Sequence, residues 1–172
     1  MRTFASFLFI SAVALFAFSG CFKTPEPEPC VYNPCEYIAP ATEIAAVKAY
    51  LDSSGITGTT QHCSGLFYKI ETPGTGKTAD PCTNSITARY KGTLTNGNRF
   101  DSGQFQQPVP LGGGLIAGWT NGVPLIKEGG RIMLYVPPSL GYGNQPRTDQ
   151  AGNVVIPANS ITIFDVELLA VY

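Results

Sequence analysis

The 172-residue chain has little charge and few of the side chains that most catalytic chemistry needs. Only 13% of its residues are Asp, Glu, Lys or Arg, and the formal net charge is −1. No basic block occurs anywhere, so the electrostatic footprint of a nucleic-acid binder is missing. His62 is the one histidine and no Cys-x-x-Cys spacing accompanies it, which argues against a metal site and makes His62 a loop residue. No Ser/His/Asp or Cys/His constellation can be assembled, and no cofactor is expected. The triple glycine Gly112-Gly113-Gly114 is not followed by Gly-Lys-Ser/Thr, so it is not read as a phosphate cradle. The long apolar run is also too short. Phe7 to Phe18, broken only by Ser11, falls below the roughly 20 residues that a membrane-spanning helix needs.

What that run does match is an export signal. Met1-Arg2 gives a basic start, and the small pair Ser19-Gly20 precedes Cys21. A cysteine at that place resembles a bacterial lipobox, although Phe18 stands where an aliphatic residue is usual. Residues 1–20 are therefore expected to be a lipoprotein signal peptide. Cys21 is expected to carry the lipid, with several acyl chains sufficient for stable anchoring in the bacterial envelope. Residues 21–40 read as a Cys/Pro-rich tether, with Lys23 to Pro29 (K-T-P-E-P-E-P) extended and nothing in it to bury. Cys30, Cys35, Cys63 and Cys82 then form an even set in an exported chain, which points to two disulfides. Three connectivities are open, and the preferred pairing is Cys30–Cys35 with Cys63–Cys82.

Residues 41–63 hold a short helix and a linker. Thr42 is placed as its N-cap, Glu43 in its first turn, Ile44, Val47 and Leu51 on one face, and Gly55 as its stop. It is too short to argue for a dimerising arm, so a monomer is expected. Strand periodicity follows over Leu66 to Ile70, Ile86 to Leu94, Gly130 to Pro137 and Ser160 to Tyr172. In the second of these, Ile86, Ala88, Tyr90 and Leu94 share a face that Gly92 interrupts, leaving room for a close approach to the backbone. Asn96-Gly97 predicts a two-residue type I′ hairpin, with Phe100 and Asp101 on the return strand. Trp119 lies in a segment of two or three helical turns at most, and a polar loop runs from Gly141 to Pro157. The fold class is α+β: about five antiparallel strands with one short central helix packed on a curved sheet.

Four pieces of this pattern occur in one order. They are Y-x-G-x-L-x-x-G-x-x-F-D-S from Tyr90, L-I-x-G-W-x-x-G-V from Leu115, L-G-Y-G ending at Gly143, and I-P-A-N-S-I-x-I-F-D-V-E-L-L from Ile156. Together they resemble the FKBP-type peptidyl-prolyl cis/trans isomerases over residues 64–172. The resemblance implies a twisted antiparallel sheet wrapped round the short helix, with an apolar proline cleft between them. It implies that Tyr90, Phe100, Leu115, Ile116, Trp119 and Phe164 line that cleft, with Trp119 as its floor. Asp101 matches a rim carboxylate bonded to the tyrosine at Tyr90. The Tyr142 hydroxyl and the Ile116 N–H match contacts to ligand carbonyls, and Val109 and Ile156 match outer-wall positions. Within this set the catalytic residues are Tyr90, Phe100, Asp101, Tyr142 and Phe164, and the others bind substrate.

The implied partners are proline-containing segments of exported polypeptides, and macrolide-type inhibitors of the family. Gln107 stands where better-known members carry a wall aromatic, and Phe105 is the nearby residue that would refill that space. The implied reaction suits a chain with no nucleophile. The barrier to peptide-bond rotation is roughly 18–20 kcal/mol and comes from amide resonance. A dry aromatic pocket disfavours the planar, charge-separated amide, and a donor that binds the twisted form better lowers the barrier. A peptide-binding module without turnover is the alternative use of the same cleft.

Overall fold

A computed structural model describes residues 30–172, so the signal, Cys21 and residues 22–29 of the tether lie outside the described residues. Nine strands form in chain order. They are β1 (Thr60–Gln61), β2 (Phe67–Thr72), β3 (Ser85–Leu94), β4 (Arg99–Gln104), β5 (Val109–Pro110), β6 (Arg131–Val136), β7 (Arg147–Thr148), β8 (Val154–Ile156) and β9 (Thr162–Val171). Seven of them make one antiparallel sheet in the order β1-β2-β6-β9-β3-β4, with β5 also pairing with β3; β7 and β8 pair separately. The expected count of about five held for the long strands. The additions are short pieces whose two or three residues carry too little periodicity to read.

Burial follows the alternation. Ile132, Leu134 and Val136 of β6 and Phe164, Val166 and Leu168 of β9 are buried in the main core with Ile86 and Ala88 of β3. The central helix (Ala117–Gly122) crosses this face and adds Trp119, which is 3% exposed, followed by Val123. It sits close to the sheet. A Cβ on Gly118 would lie 2.6 Å from Val136, and one on Gly122 would lie 2.5 Å from Leu134. Glycine at both positions lets helix and sheet meet at backbone distance.

The first helix (Ala41–Ser53) serves the opposite face, where Val47 and Leu51 pack with Phe67, Tyr135 and Ile163 in a second cluster. Glu43 lies in its first turn as expected, and one feature differs. Its N-cap is Pro40 with no side-chain cap, so Thr42 falls inside the helix. Glu43 reaches across the fold and accepts from the Ser139 N–H at 2.9 Å. Gly55 does end the helix, with φ 64.

The disulfides are Cys30–Cys82 and Cys35–Cys63, which corrects the expected Cys30–Cys35 and Cys63–Cys82. Residues 30–39 instead form a strap against the domain, in which Tyr32 donates to Asn121 Oδ1 of the central helix and Ala39 is buried in the core. Each bridge thus joins the strap to the body, at separations of 52 and 28 residues.

The β3–β4 hairpin also differs. Gly97 N–H donates to Leu94 O, Leu94 N–H donates to Asn98 O, and only Gly97 of the Asn-Gly pair has positive φ, at 84°. That is a three-residue loop with glycine in the left-handed position, in place of type I′.

Candidate active site

A register shift builds the site. On β3–β4, Gly92 pairs with Asp101 while the next residue, Thr93, pairs with Arg99, so Phe100 is the extra residue of a β-bulge. In a regular strand neighbouring side chains point to opposite faces, and a bulge re-aims them. Phe100 turns inward over Gly92, where a Cβ would stand 2.6 Å from two of its ring carbons and 3.2 Å from Phe164. Asp101 keeps its place beside Tyr90. The gap in the inward face of β3 is thus filled by the ring of Phe100.

Behind the bulge lies a cleft of about 250 Å³. Trp119 and Phe164 floor it with rings 5.6 Å apart and nearly perpendicular. Tyr90 stands edge-on to Trp119 at 5.5 Å. Phe105 completes the wall, 5.4 Å from Tyr90 and 5.7 Å from Trp119. Gln107 is exposed, so Phe105 fills the wall in its stead. Leu115 and Ile116 close the far side where the chain enters the central helix. Phe100 braces the mouth, edge-on to Phe164 at 5.6 Å and to Tyr142 at 6.1 Å. Edge-to-face pairs of this kind contribute about 0.5–1.5 kcal/mol each beyond their buried area.

Few polar groups face this aromatic box. Tyr90 O–H donates to Asp101 Oδ2 at 2.8 Å. Burial, then the bond to Asp101 and the charges of Asp101 and Tyr142, push the Tyr90 phenol up to about 12. The bond also answers how a carboxylate is held beside an apolar wall. Burial, reinforced by Asp101 and opposed by Arg147, raises the Tyr142 phenol too, so its hydroxyl stays protonated well past neutrality. Among the described residues nothing partners the Tyr142 hydroxyl or the Ile116 N–H, which leaves two donors on the cleft wall. No cluster of three metal-ligating side chains occurs among the described residues.

Of the residues anticipated for the cleft, Tyr90, Asp101, Leu115, Ile116, Trp119, Tyr142 and Phe164 border it directly. Phe100 acts through Phe164 and Tyr142. Val109 lies behind Gly114, whose Cβ would sit 3.1 Å from it. Ile156 is 4% exposed and roots the β7–β8 hairpin. Sequence reasoning had no place for Arg147, whose guanidinium lies 5.6 Å from the centroid of the Tyr142 ring. An arginine in a polar loop carries no periodic signal that would single it out.

Residues 76–169 match the family described as FKBP-type peptidyl-prolyl cis-trans isomerase. FkpA of Buchnera aphidicola subsp. Schizaphis graminum is 41% identical over 125 residues, which span 72% of this chain and 46% of that protein. A probable FKBP-type isomerase of Haemophilus influenzae is 45% identical over 110 residues, 63% of this chain and 43% of that protein. Among solved structures, FkpA from Escherichia coli superposes with a TM-score of 0.62 at 36% identity, covering 76% of this chain and 60% of that one. A peptidyl-prolyl cis-trans isomerase from Pseudomonas syringae pv. tomato gives 0.61 at 28% identity, covering 77% and 96%. The chain belongs to the FKBP-type peptidyl-prolyl cis-trans isomerase family, and its sheet and central helix are the fold of those neighbours. It spans about half the length of the curated relatives it matches.

Proposed function

We propose that this chain catalyses cis/trans isomerisation of Xaa-Pro bonds in exported polypeptides and so assists their folding. The observation that carries the reading is the aromatic box floored by Trp119 together with the two unpartnered donors, Tyr142 O–H and Ile116 N–H. A proline ring on Trp119 excludes water from the bond to be turned. With water gone, the planar amide loses the solvation that favours its charge-separated form. The donors stay fixed while the carbonyl swings, and whatever they bind better in the twisted geometry lowers the barrier. Asp101 positions Tyr90 and takes no proton step. Uncatalysed isomerisation takes about 10–100 s, slow enough to limit folding.

Residues 64–172 are assigned to this activity, and the first 20 residues to a lipoprotein signal, with Cys21 as the lipidated residue. Of residues 21–40, expected as the tether, 30–40 are fastened to the domain by Cys30–Cys82 and Cys35–Cys63, so 21–29 are the tether to a bacterial envelope membrane, 41–63 the helix and linker, and the protein acts as a monomer. The apolar run, the small pair before Cys21 and the Pro/Glu tract support this part of the reading. The alternative of a binding module without turnover rested on Gln107, and Phe105 now stands in that wall.

Turnover of a short Xaa-Pro peptide by the purified protein, with and without a macrolide-type FKBP inhibitor, tests the proposal. Inhibitable turnover is expected. Inhibitor binding without turnover would leave a binding module, and neither would confine the likeness to the fold.

A further inference from the structure

The polar stretch after Tyr142 folds into a hairpin beside the cleft mouth, with Arg147 of β7 opposite Ile156 of β8. It is firmly rooted. Ile156 is buried, and the Asn159 N–H donates to Gly143 O at 2.9 Å. Its only acid, Asp149, accepts from the Ala151 and Asn153 N–H groups and from the Asn153 side chain, which closes the turn. Asp149 is therefore committed to its own loop. Arg147 takes part in none of the ion pairs or side-chain hydrogen bonds among the described residues, and its one fixed partner is the Tyr142 ring. Stacking holds a guanidinium in place and leaves its edge N–H groups available. Tyr142 borders the cleft, and Arg147, over its ring, stands next to that wall without lining it. On the other rim, the Asp101 carboxylate is occupied by Tyr90 O–H.

We propose that Arg147 makes the cleft selective for proline segments that carry a Glu or Asp next to the proline. The inference rests on the isomerase reading and names its substrate class. Arginine presents two parallel N–H groups to a carboxylate, and a carboxamide or an ammonium at the same place gains nothing comparable. The selectivity is modest, because the pair forms at a solvated mouth. It also weakens with salt.

The test uses three peptides identical except for Glu, Gln or Lys before the proline. Turnover is measured, and binding is followed separately through the fluorescence of Trp119, the only tryptophan of the chain. The wild-type protein is expected to favour the Glu over the Gln peptide by about two- to fivefold at low salt, with the Lys peptide last. In Arg147→Gln the ranking collapses while the Gln peptide is still bound. Equal treatment of the three by the wild type, or a ranking that survives in Arg147→Gln, overturns the proposal. So does a uniform fall for all three peptides, which would reduce Arg147 to a prop for Tyr142. A Glu preference in binding without turnover would sink the isomerase reading and leave this selectivity standing.

Discussion

Gly92 and Phe100 meet at a distance that admits no methyl group between them. With a Cβ at residue 92 placed 2.6 Å from the Phe100 ring and 3.2 Å from Phe164, Gly92→Ala forces the ring or the strand to move. Overpacking of this kind costs about 1–3 kcal/mol. We expect a lower denaturation midpoint and, because Phe100 braces Tyr142 and Phe164, a lower kcat/KM on the same peptide. Phe100→Ala acts in a different way: it removes two edge-on contacts and leaves space. Losing about 1.4 kcal/mol of support for the twisted geometry would slow turnover about tenfold. Circular dichroism should show the fold retained, and a folded Phe100→Ala variant with undiminished turnover would remove this cleft from consideration as the site.

The elements divide the labour between the faces of the sheet. The central helix and β3, β4 and β9 contribute side chains to the cleft, whereas the first helix packs Val47 and Leu51 against the opposite face. Leu51 is 3% exposed, so Leu51→Ala leaves a cavity and is expected to cost about 2–5 kcal/mol. Inhibitor affinity measured below the melting transition should not change, because no residue of that cluster borders the cleft. A parallel loss of affinity would mean that the two faces are mechanically coupled. The β3–β4 bulge is the element that serves function most directly. Without the extra residue, Phe100 and Asp101 would point to opposite faces, and no single rim would carry both.

For the whole molecule, stability depends on covalent staples and on charge. Cys35–Cys63 and Cys30–Cys82 tie the strap to the body and constrain the unfolded chain. Replacing the Cys35–Cys63 pair by serines is expected to cost about 2–4 kcal/mol, read as a lower melting temperature. Peptide mapping under non-reducing conditions checks the pairing itself. The pH profile should fall at both ends. Tyr90 has its pKa raised from 10.0 to about 12, so its contribution is complete below 10.0 and is lost as pH rises through about 12. Asp165 is held below its usual 3.8, chiefly by hydrogen bonding to Arg131, so its contribution is present above 3.8 and is lost as pH falls further. Denaturant midpoints that stay level through both windows would contradict these assignments.

The long strands and the cleft residues were legible in the amino-acid order because their signals are local. Alternation along β3, β6 and β9 marks one buried face without reference to any partner, and Trp119 and Tyr142 sit in short motifs of fixed spacing. Other features depend on which parts of the chain meet. The bulge at Phe100 is a property of two strands in register, and the loop at Gly97 follows from it rather than from the Asn-Gly pair alone. Cysteine spacing carries no pairing information, since a disulfide needs only that two Cα atoms come within reach, here 5.6 and 5.4 Å across 52 and 28 residues. Phe105 completes the wall that Gln107 leaves open because the loop after β4 brings it back against β3, where its N–H donates to Ala88 O at 3.0 Å. Arg147 gains meaning only when the hairpin folds it over Tyr142. The sequence by itself determined the fold class, through periodicity, and its motifs, through their resemblance to the FKBP-type isomerases, singled out most of the aromatic residues of the box. Only the tertiary structure decided the staples, the refilled wall and the cation at the mouth, because each joins segments whose separation along the chain says nothing of their distance in space.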